Sequence, residues 1–423
     1  MNVAYYSHYF SPEIGAPSAR IYDLAQQWIS LGHQVQAVTC FPNHPSGRLY
    51  PGYQSKLYAK ENLDGISVHR HWTYITPNKG FVKKTIGHLS YFPSTVWSSK
   101  RHLEKPDVAI GSSPTLFAAI AAAYVSKRQR LPFIMEVRDL WPAIFVELGV
   151  LRNRKLIAGL EKIEMGLYRR ATRVVTVTEA FRRNLINRGI PSEKVFTIPN
   201  GAETGFWQPS QSTNNLRQRL NLTDKFLVLY IGAHGISQAL GTVLRSAAQL
   251  RNQLRIQFVF VGEGAEKDQL MRQAAEQKLE NVMFLDPVDK DAVRDFYASA
   301  DVCLVPLRNI PLFEGFIPSK IFEIMSMGRP IIGSVRGETA SILQRTGGAL
   351  VVEPENPKAI SEAILHLYRN PDEAQVMGER SRKFVVEHYS RRALAQTYMD
   401  ILKDAVAEYH SPQNGAVAVS ARV

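Results

Sequence analysis

Residues 2–40 read NVAYYSHYFSPEIGAPSARIYDLAQQWISLGHQVQAVTC. Residues 2–6 form a short apolar run, 18–31 carry apolar side chains at helical spacing before Gly32, and 34–40 are apolar again. Strand, helix and strand in that order, with glycine closing the helix, open a parallel sheet, because two strands running the same way need a crossover between them. The alternation continues outward. Stretches 107–110 and 132–137 predict strands around an alanine-rich helix at 115–127, and 173–177 and 195–198 predict strands around a helix at 179–188. After a polar stretch, 208–215, strands are expected at 226–232, 257–261, 281–285 and 301–305, alternating with helices at 239–253, 266–277 and 291–299; residues 360–409 read as helix. The expected fold class is α/β, with two doubly wound Rossmann-like domains. Residues 1–207 form the first, 208–385 the second, and 386–423 a C-terminal helix with a loose tail. Ligands of such sheets bind outside the carboxyl ends of the strands, so function is expected on those loops, at a cleft between the domains.

Composition agrees. A chain of 423 residues exceeds what one core supports, and 45% hydrophobic with 21% charged residues is globular usage. The start, MNVAYYSHYFSPEIG, lacks the basic head and long apolar stretch of a secretory leader, so export is not expected. The longest apolar run, 116–125, is half of the roughly 20 residues that a membrane-spanning helix needs. Cys40 and Cys303 lie far apart in apolar runs, which argues against a disulfide framework and for a reducing, cytoplasmic setting. Charge is uneven: residues 1–200 hold 26 Lys and Arg against 13 Asp and Glu, whereas 201–423 hold 25 against 25. A basic first half, with clusters at Lys83-Lys84, Lys100-Arg101, Lys127-Arg128 and Arg169-Arg170, favours an anionic membrane surface. Aromatic residues are not interleaved regularly among these clusters, so no nucleic acid is expected.

The densest stretch for chemistry is 308–330, RNIPLFEGFIPSKIFEIMSMGRP. Gly315 lets backbone approach a ligand, Pro318 and Ser319 start a helix, and Lys320 and Glu323 fall one turn apart on it. Such a helix start offers free amides and partial positive charge to a diphosphate, Lys320 adds a full charge, and Glu323 can accept two ribose hydroxyls. A surface ion pair on an ordinary helix fits the spacing equally well.

The run Gly315-Phe316-Ile317-Pro318-Ser319-Lys320-Ile-Phe-Glu323, followed by MSMGRPII, resembles the donor-sugar motif of family-4 retaining glycosyltransferases of GT-B fold. Within that family the chain looks most like bacterial transferases that add N-acetylfucosamine or related aminosugars during surface-polysaccharide assembly, and the likeness spans nearly the whole chain. The resemblance implies that Glu323 binds the nucleotide ribose and that Gly315 to Ser319 offer main-chain amides to sugar and phosphates. It also implies that the C-terminal helix packs back on the first domain. The family's usual first glutamate, eight residues before the second, is Gly315 here, with Glu314 one position earlier; Glu314 is assigned to the same sugar hydroxyls. At 232–238, Gly232-Ala-His234-Gly235-Ile-Ser-Gln238 resembles the family's phosphate loop, but Ala233 and Gln238 stand where an arginine and a lysine usually clamp the diphosphate. Lys320, absent from the common motif, is the expected substitute, and His234 a further phosphate donor. Gly262 is assigned beside the nucleotide and Val288 to a backbone contact with the base.

In the first domain, 11–18, SPEIGAPS, is the counterpart of a glycine-rich loop, and Gly15 is the position assigned to close approach. In Glu136-Val-Arg138-Asp139-Leu-Trp-Pro142, Arg138 stands where many relatives carry a histidine, and Asp139 is the candidate for orienting or deprotonating the acceptor, against a buried ion pair with Arg138. The triplet Asp289-Lys-Asp291 opens a helix, where aspartates cap amides, and is not read as a metal site. No cofactor and no metal are expected, only a UDP-sugar donor. The function these residues imply is transfer of a sugar, an N-acetylated aminosugar by resemblance, to a glycan or polyprenyl-diphosphate-linked acceptor, in the cytoplasm and peripheral to the inner face of the membrane. The alternatives are a UDP-sugar epimerase of similar shape, or a membrane- or polyanion-binding module with a vestigial cleft.

Overall fold

A computed structural model describes all residues except 14, 45, 77–80, 114, 148, 150, 210–213 and 412–423. The polar stretch at 208–215 therefore lies partly, and the tail from 412 wholly, outside the described residues, as do the side chains of Lys83, Lys84 and Lys100. The chain divides into two compact units, Met1–Pro199 together with the chain from Arg391 on, and Asn200–Ser390.

The first unit runs β1 (Asn2–Tyr6), α1 (Ala16–Ser30), β2 (Gln34–Cys40), β3 (Tyr58–Leu63), β4 (Ile66–His71), α2 (Phe81–His102), β5 (Val108–Ser112) and α3 (Leu116–Gln129). It continues with β6 (Phe133–Val137), α4 (Ala143–Glu147), α5 (Arg154–Arg170), β7 (Arg173–Thr176), α6 (Glu179–Asn187) and β8 (Val195–Thr197). The sheet has the order β3-β4-β2-β1-β5-β6-β7-β8, parallel except for β3 against β4. That hairpin turns through Asp64-Gly65, both at positive φ (52° and 86°), the backbone that a two-residue hairpin turn demands. β1 sits centrally, all of Val3 to Tyr6 buried, and its loop opens at the carboxyl edge.

The second unit runs α7 (Asn214–Arg219), β9 (Phe226–Ile231), α8 (Leu240–Gln249), β10 (Ile256–Val261), α9 (Lys267–Glu276), β11 (Val282–Leu285), α10 (Lys290–Ser299) and β12 (Val302–Pro306). It closes with α11 (Lys320–Ser326), β13 (Ile331–Ser334), α12 (Gly337–Thr346), β14 (Ala349–Val352), α13 (Pro357–Arg369) and α14 (Pro371–His388). Its six strands are all parallel, in the order β11-β10-β9-β12-β13-β14. Strands read VLYI and FVFV as unbroken apolar runs because helices cover both faces. Trp207 belongs to this unit: its carbonyl accepts from Ser326 Oγ and Arg382, and its ring meets Tyr297 at 5.8 Å.

α15 (Arg391–His410) packs on α1 in the first unit. Trp28 Nε1 donates to Ala395 O at 3.0 Å, Arg391 pairs with Asp23, and Tyr398 OH donates to Glu136 at 3.3 Å. Tyr398, Met399 and Leu402 thereby complete the core around Trp28 and Val3.

Candidate functional site

The loops following β9, β10, β11 and β12 gather at the carboxyl edge of the second sheet. Gly232 ends β9 with φ 140°, and Gly262 ends β10 with φ 141°, a left-handed backbone that suits glycine. A Cβ on Gly262 would stand 2.0 Å from Gly232 O, and one on Gly264 2.4 Å from His234 O. The two loops therefore stack backbone on backbone, held by Gly232 N to Val261 O, His234 N to Glu263 O and Glu266 N to His234 O. Glycines are required here because no side chain fits between the strands' ends.

Lys320 rises from the start of α11 into this seam. Its Nζ donates to Ile231 O at 2.8 Å, stands 4.1 Å from the centre of the Tyr230 ring, and lies 2.6 Å from where a Gly232 Cβ would be. Burial pushes this ammonium down to about 8, against the pull of the Glu323 carboxylate. Glu323, one turn on, accepts from Tyr297 OH at 3.4 Å. Ser319 is already helical (φ −57°, ψ −29°) and its hydroxyl does not cap the helix. Ile321 N and Phe322 N turn back to Pro318 O and Ser319 O, while the amides of Ile317, Ser319 and Lys320 meet no acceptor among the described residues. A cation and three open amides on one short segment form a place for an oxyanion.

The preceding turn is fixed by packing. Gly315 is buried, Phe313 and Phe316 meet edge to face at 5.1 Å, and Thr339 Oγ1 donates to Phe316 O. Glu314 has an exposed side chain, and its carbonyl lies 2.1 Å from where a Gly337 Cβ would stand, so its position is set by α12's first glycine. Gly235 and Gln238 lie half-buried on the turn that leads to α8, where Ser237 O accepts from Arg308 N at 2.9 Å. His234 lies beneath that loop rather than on it. Its ring is fully buried among Tyr230, Phe260 and Phe284, and neither ring nitrogen has a partner among the described residues. Burial, with Lys267 and Lys320 nearby, holds the imidazole down at about 4, so it is neutral at pH 7. Val288 is half-buried between β11 and α10. Asp289 caps α10, accepting from Ala292 N at 2.9 Å, and Asp286 pairs with Lys267 at 2.8 Å.

Gly15 and Asp139 belong to the first unit. Gly15 precedes α1 without a side-chain cap, and Ile14 lies outside the described residues. Asp139 follows β6 in a turn pinned by Ser113, whose Oγ accepts from the amides of Arg138 (2.9 Å) and Asp139 (3.3 Å) and donates to Asp139 O. Burial raises the Asp139 carboxyl to about 6, against the Arg138 charge. Among the described residues Arg138 makes no ion pair with it: Nε and Nη1 are buried without partners. Nearby, burial works against the Glu136 carboxylate, yet Arg20 and Arg138 hold it below the usual range. Tyr5, Arg20 and Tyr398 all bond to it.

Sequence reading missed Tyr230, Tyr297, Ser113 and Gly337. The tyrosines read as core at strand and helix spacing, and only their contacts with Lys320 and Glu323 distinguish them. Ser113 carried the one available signal, a polar residue directly after a buried strand.

Comparison with known proteins agrees with this fold. The model of the Glycosyl transferase 4-like domain matches residues 15–201, and that of Glycosyl transferases group 1 matches 225–370. A relative in Escherichia coli (strain K12), named as a colanic acid biosynthesis glycosyl transferase, WcaI, is 25% identical over 379 residues, 86% of this chain and 91% of that protein. The alpha-galactosylglucosyldiacylglycerol synthase of Streptococcus pneumoniae is 27% identical over 256 residues, 59% of this chain and 65% of that one. Among solved structures, Anabaena Alr3699/HepE in complex with UDP-glucose superposes with a TM-score of 0.74 at 16% identity, covering 96% of this chain and 100% of that one. These matches do not favour the epimerase alternative. With glycosyltransferase models matching both halves and two parallel Rossmann-like sheets in its structure, the chain is a glycosyltransferase of GT-B fold.

Proposed function

We propose that this glycosyltransferase is a retaining enzyme that moves an N-acetylated aminosugar from a UDP-sugar to a glycan or polyprenyl-diphosphate-linked acceptor in surface-polysaccharide assembly, of the lipopolysaccharide kind. The observation that carries the donor half is the Lys320 ammonium, held at Ile231 O, on the same short segment as the amides of Ile317, Ser319 and Lys320, which meet no acceptor among the described residues. Glycosyl transfer leaves a diphosphate, and charge stabilisation of that leaving group is the main task; each such donor contributes about 3 kcal/mol in a dry site. Lys320 and the amides of residues 315–319 take the phosphates, Glu323 the ribose hydroxyls, Glu314 the sugar hydroxyls, and the backbone at Val288 the base. The loops carrying Gly232, Gly235, Gln238 and Gly262 line the phosphates, with His234 supporting them from below. In the first unit, Gly15 gives backbone approach and Asp139 orients or deprotonates the acceptor hydroxyl. The bond from the anomeric carbon to the diphosphate breaks, a bond to the acceptor oxygen forms on the same face, and the acceptor's proton leaves through Asp139 or the departing phosphate.

UDP as the leaving group is supported by the UDP-glucose complex of HepE, and a polysaccharide or lipid acceptor by the names of the two curated relatives. A lipid-linked acceptor places the enzyme at the inner membrane face as a peripheral protein; among the described residues no helix is long and apolar enough to cross a membrane. Lysine and amides supply the charge stabilisation, so the reaction is expected to proceed without a metal and to survive EDTA. The test is a thermal-shift screen of nucleoside diphosphate sugars, in which the donor raises the melting temperature by mass action. UDP-N-acetylated aminosugars are expected to stabilise most. A structure with UDP bound away from Lys320 and Glu323 sinks the reading.

A further inference from the structure

The apolar surface of the first unit is not all inside. On α2, the residues Ile86, Leu89, Pro93 and Trp97 are exposed, at spacings of three and four, so they form one outward stripe opposite the buried Tyr91, Thr95 and Ser99. Leu89 is 51% and Trp97 56% exposed, and Tyr74, 45% exposed, lies beside this helix with its amide on Ser90 Oγ. α2 packs on α3, and α3 on α5, so the three helices form one layer. On α5, Leu156 and Ile163, seven residues apart, are 47% and 45% exposed, with Lys155 and Lys162, also seven apart, beside them.

An exposed apolar stripe on a folded domain marks a binding surface. Charge identifies what it binds. The three helices carry eleven Lys and Arg against two Glu, and one of the two, Glu164, is buried and paired with Arg188. Lys127 and Arg128 end α3, and the Arg101 guanidinium covers the Trp97 ring at 4.8 Å. Tryptophan and tyrosine at an edge, aliphatic side chains between, and lysines flanking them match the boundary between lipid headgroups and acyl chains, whereas a protein interface core is depleted in lysine.

We propose that the outer face of the α2–α3–α5 layer docks on a bilayer containing anionic lipids, with Leu89, Trp97, Leu156 and Ile163 entering the headgroup boundary and Lys155 and Lys162 bound to lipid phosphates. This names the surface for the peripheral membrane placement in the proposed function, on which it rests, while the donor and docking readings fail separately. Full-length protein is sedimented with vesicles of phosphatidylcholine alone or with phosphatidylglycerol added. Binding is expected only with phosphatidylglycerol and is weakened by salt. Lys155→Glu with Lys162→Glu is expected to lower it at least about tenfold, since each cation near such a surface contributes roughly fivefold. Leu89→Ser with Trp97→Ser, and independently Leu156→Ser with Ile163→Ser, are expected to lower it by a similar factor. The melting temperature and its shift with UDP, unchanged in each variant, report that the fold and donor site are intact. Equal vesicle binding by all variants overturns the proposal. So does light scattering that shows a wild-type dimer turned monomeric by Leu89→Ser with Trp97→Ser, which would assign the face to a second copy. Loss of UDP binding by the wild type would instead sink the transfer reading and leave this one standing.

Discussion

Lys320 occupies the space that a side chain on Gly232 would take, with Nζ 2.6 Å from the absent Cβ and bonded to the carbonyl of the neighbouring Ile231. The ammonium is thereby placed at the end of the second sheet's central strand by a residue 88 positions later in the chain.

Removing that ammonium should cost transfer, not folding. Lys320→Ala is expected to lower kcat/KM for the donor roughly 100- to 1000-fold, the range for losing one preorganised donor to a leaving group. Lys320→Arg should not restore it, because a guanidinium is too wide for the gap over Gly232. Steady-state kinetics with varied UDP-sugar decide; an unchanged kcat/KM in Lys320→Ala would remove this residue from the site.

Activity should depend on pH from both sides. With Asp139 at about 6 and Lys320 at about 8, kcat/KM is expected to rise as Asp139 ionises and to fall as Lys320 loses its proton. Asp139→Asn should flatten the acid limb alone. Folding has the opposite sense at Lys320: its folded value lies below the unfolded one of about 10.4, so the unfolded chain binds more protons between pH 8 and 10.4 and stability rises across that window. Urea unfolding should therefore show Lys320→Met more stable than wild type below pH 8, the difference fading as pH approaches 10.4.

The stacked loops make a second, independent test. Gly262→Ala forces a Cβ to 2.0 Å from Gly232 O at a φ of 141°, and is expected to lower stability by about 1–3 kcal/mol. Gly159→Ala, in the middle of α5 with nothing within 4 Å, should raise it by up to about 1 kcal/mol. Urea midpoints moving the same way for both would contradict the geometry.

Acid should unfold the protein through buried histidines. Burial holds His234 and His69 at about 4 and His71 at about 3, against 6.5 in the unfolded chain. The unfolded state takes up protons first, so stability falls as pH drops from 6.5 toward these values. His234→Phe should shallow that slope. At pH 7 it is expected to be neutral or stabilising by about 1 kcal/mol, because both ring nitrogens lack partners among the described residues. A slope identical to wild type between pH 6.5 and 4 would show that this ring does not titrate as described.

Most strands and helices from 107 to 305 were legible because apolar runs alternate with helical periodicity there, and periodicity is local. Five elements in the first unit, β3, β4, α2, α4 and α5, were not. β3, reading YAKENL, alternates between half-buried and exposed at the sheet's edge and so lacks an apolar signal. α2 contains Pro93, which breaks a helical reading, yet faces outward there, where its ring meets solvent. α5 is masked by its charge, since its solvent face outweighs the buried Leu167 and Tyr168.

The same division holds for the candidate site. The one-turn spacing of Lys320 and Glu323 is a property of neighbouring residues, and the sequence by itself determined it, whereas the need for glycine at 232 and 262 arises where distant segments meet. Which group each side chain meets is a property of strand order. β9 lies between β10 and β12, so residues 232, 262 and 320 converge though far apart in the chain. His234 reads as a loop residue that donates to a phosphate, but Tyr230, Phe260 and Phe284 come from three successive parallel strands and enclose it. Likewise the Tyr398 hydroxyl reaches Glu136 across 262 positions. Such pairings have no local signature, because burial energy depends on what the folded chain brings to a place, and only the tertiary structure decides that.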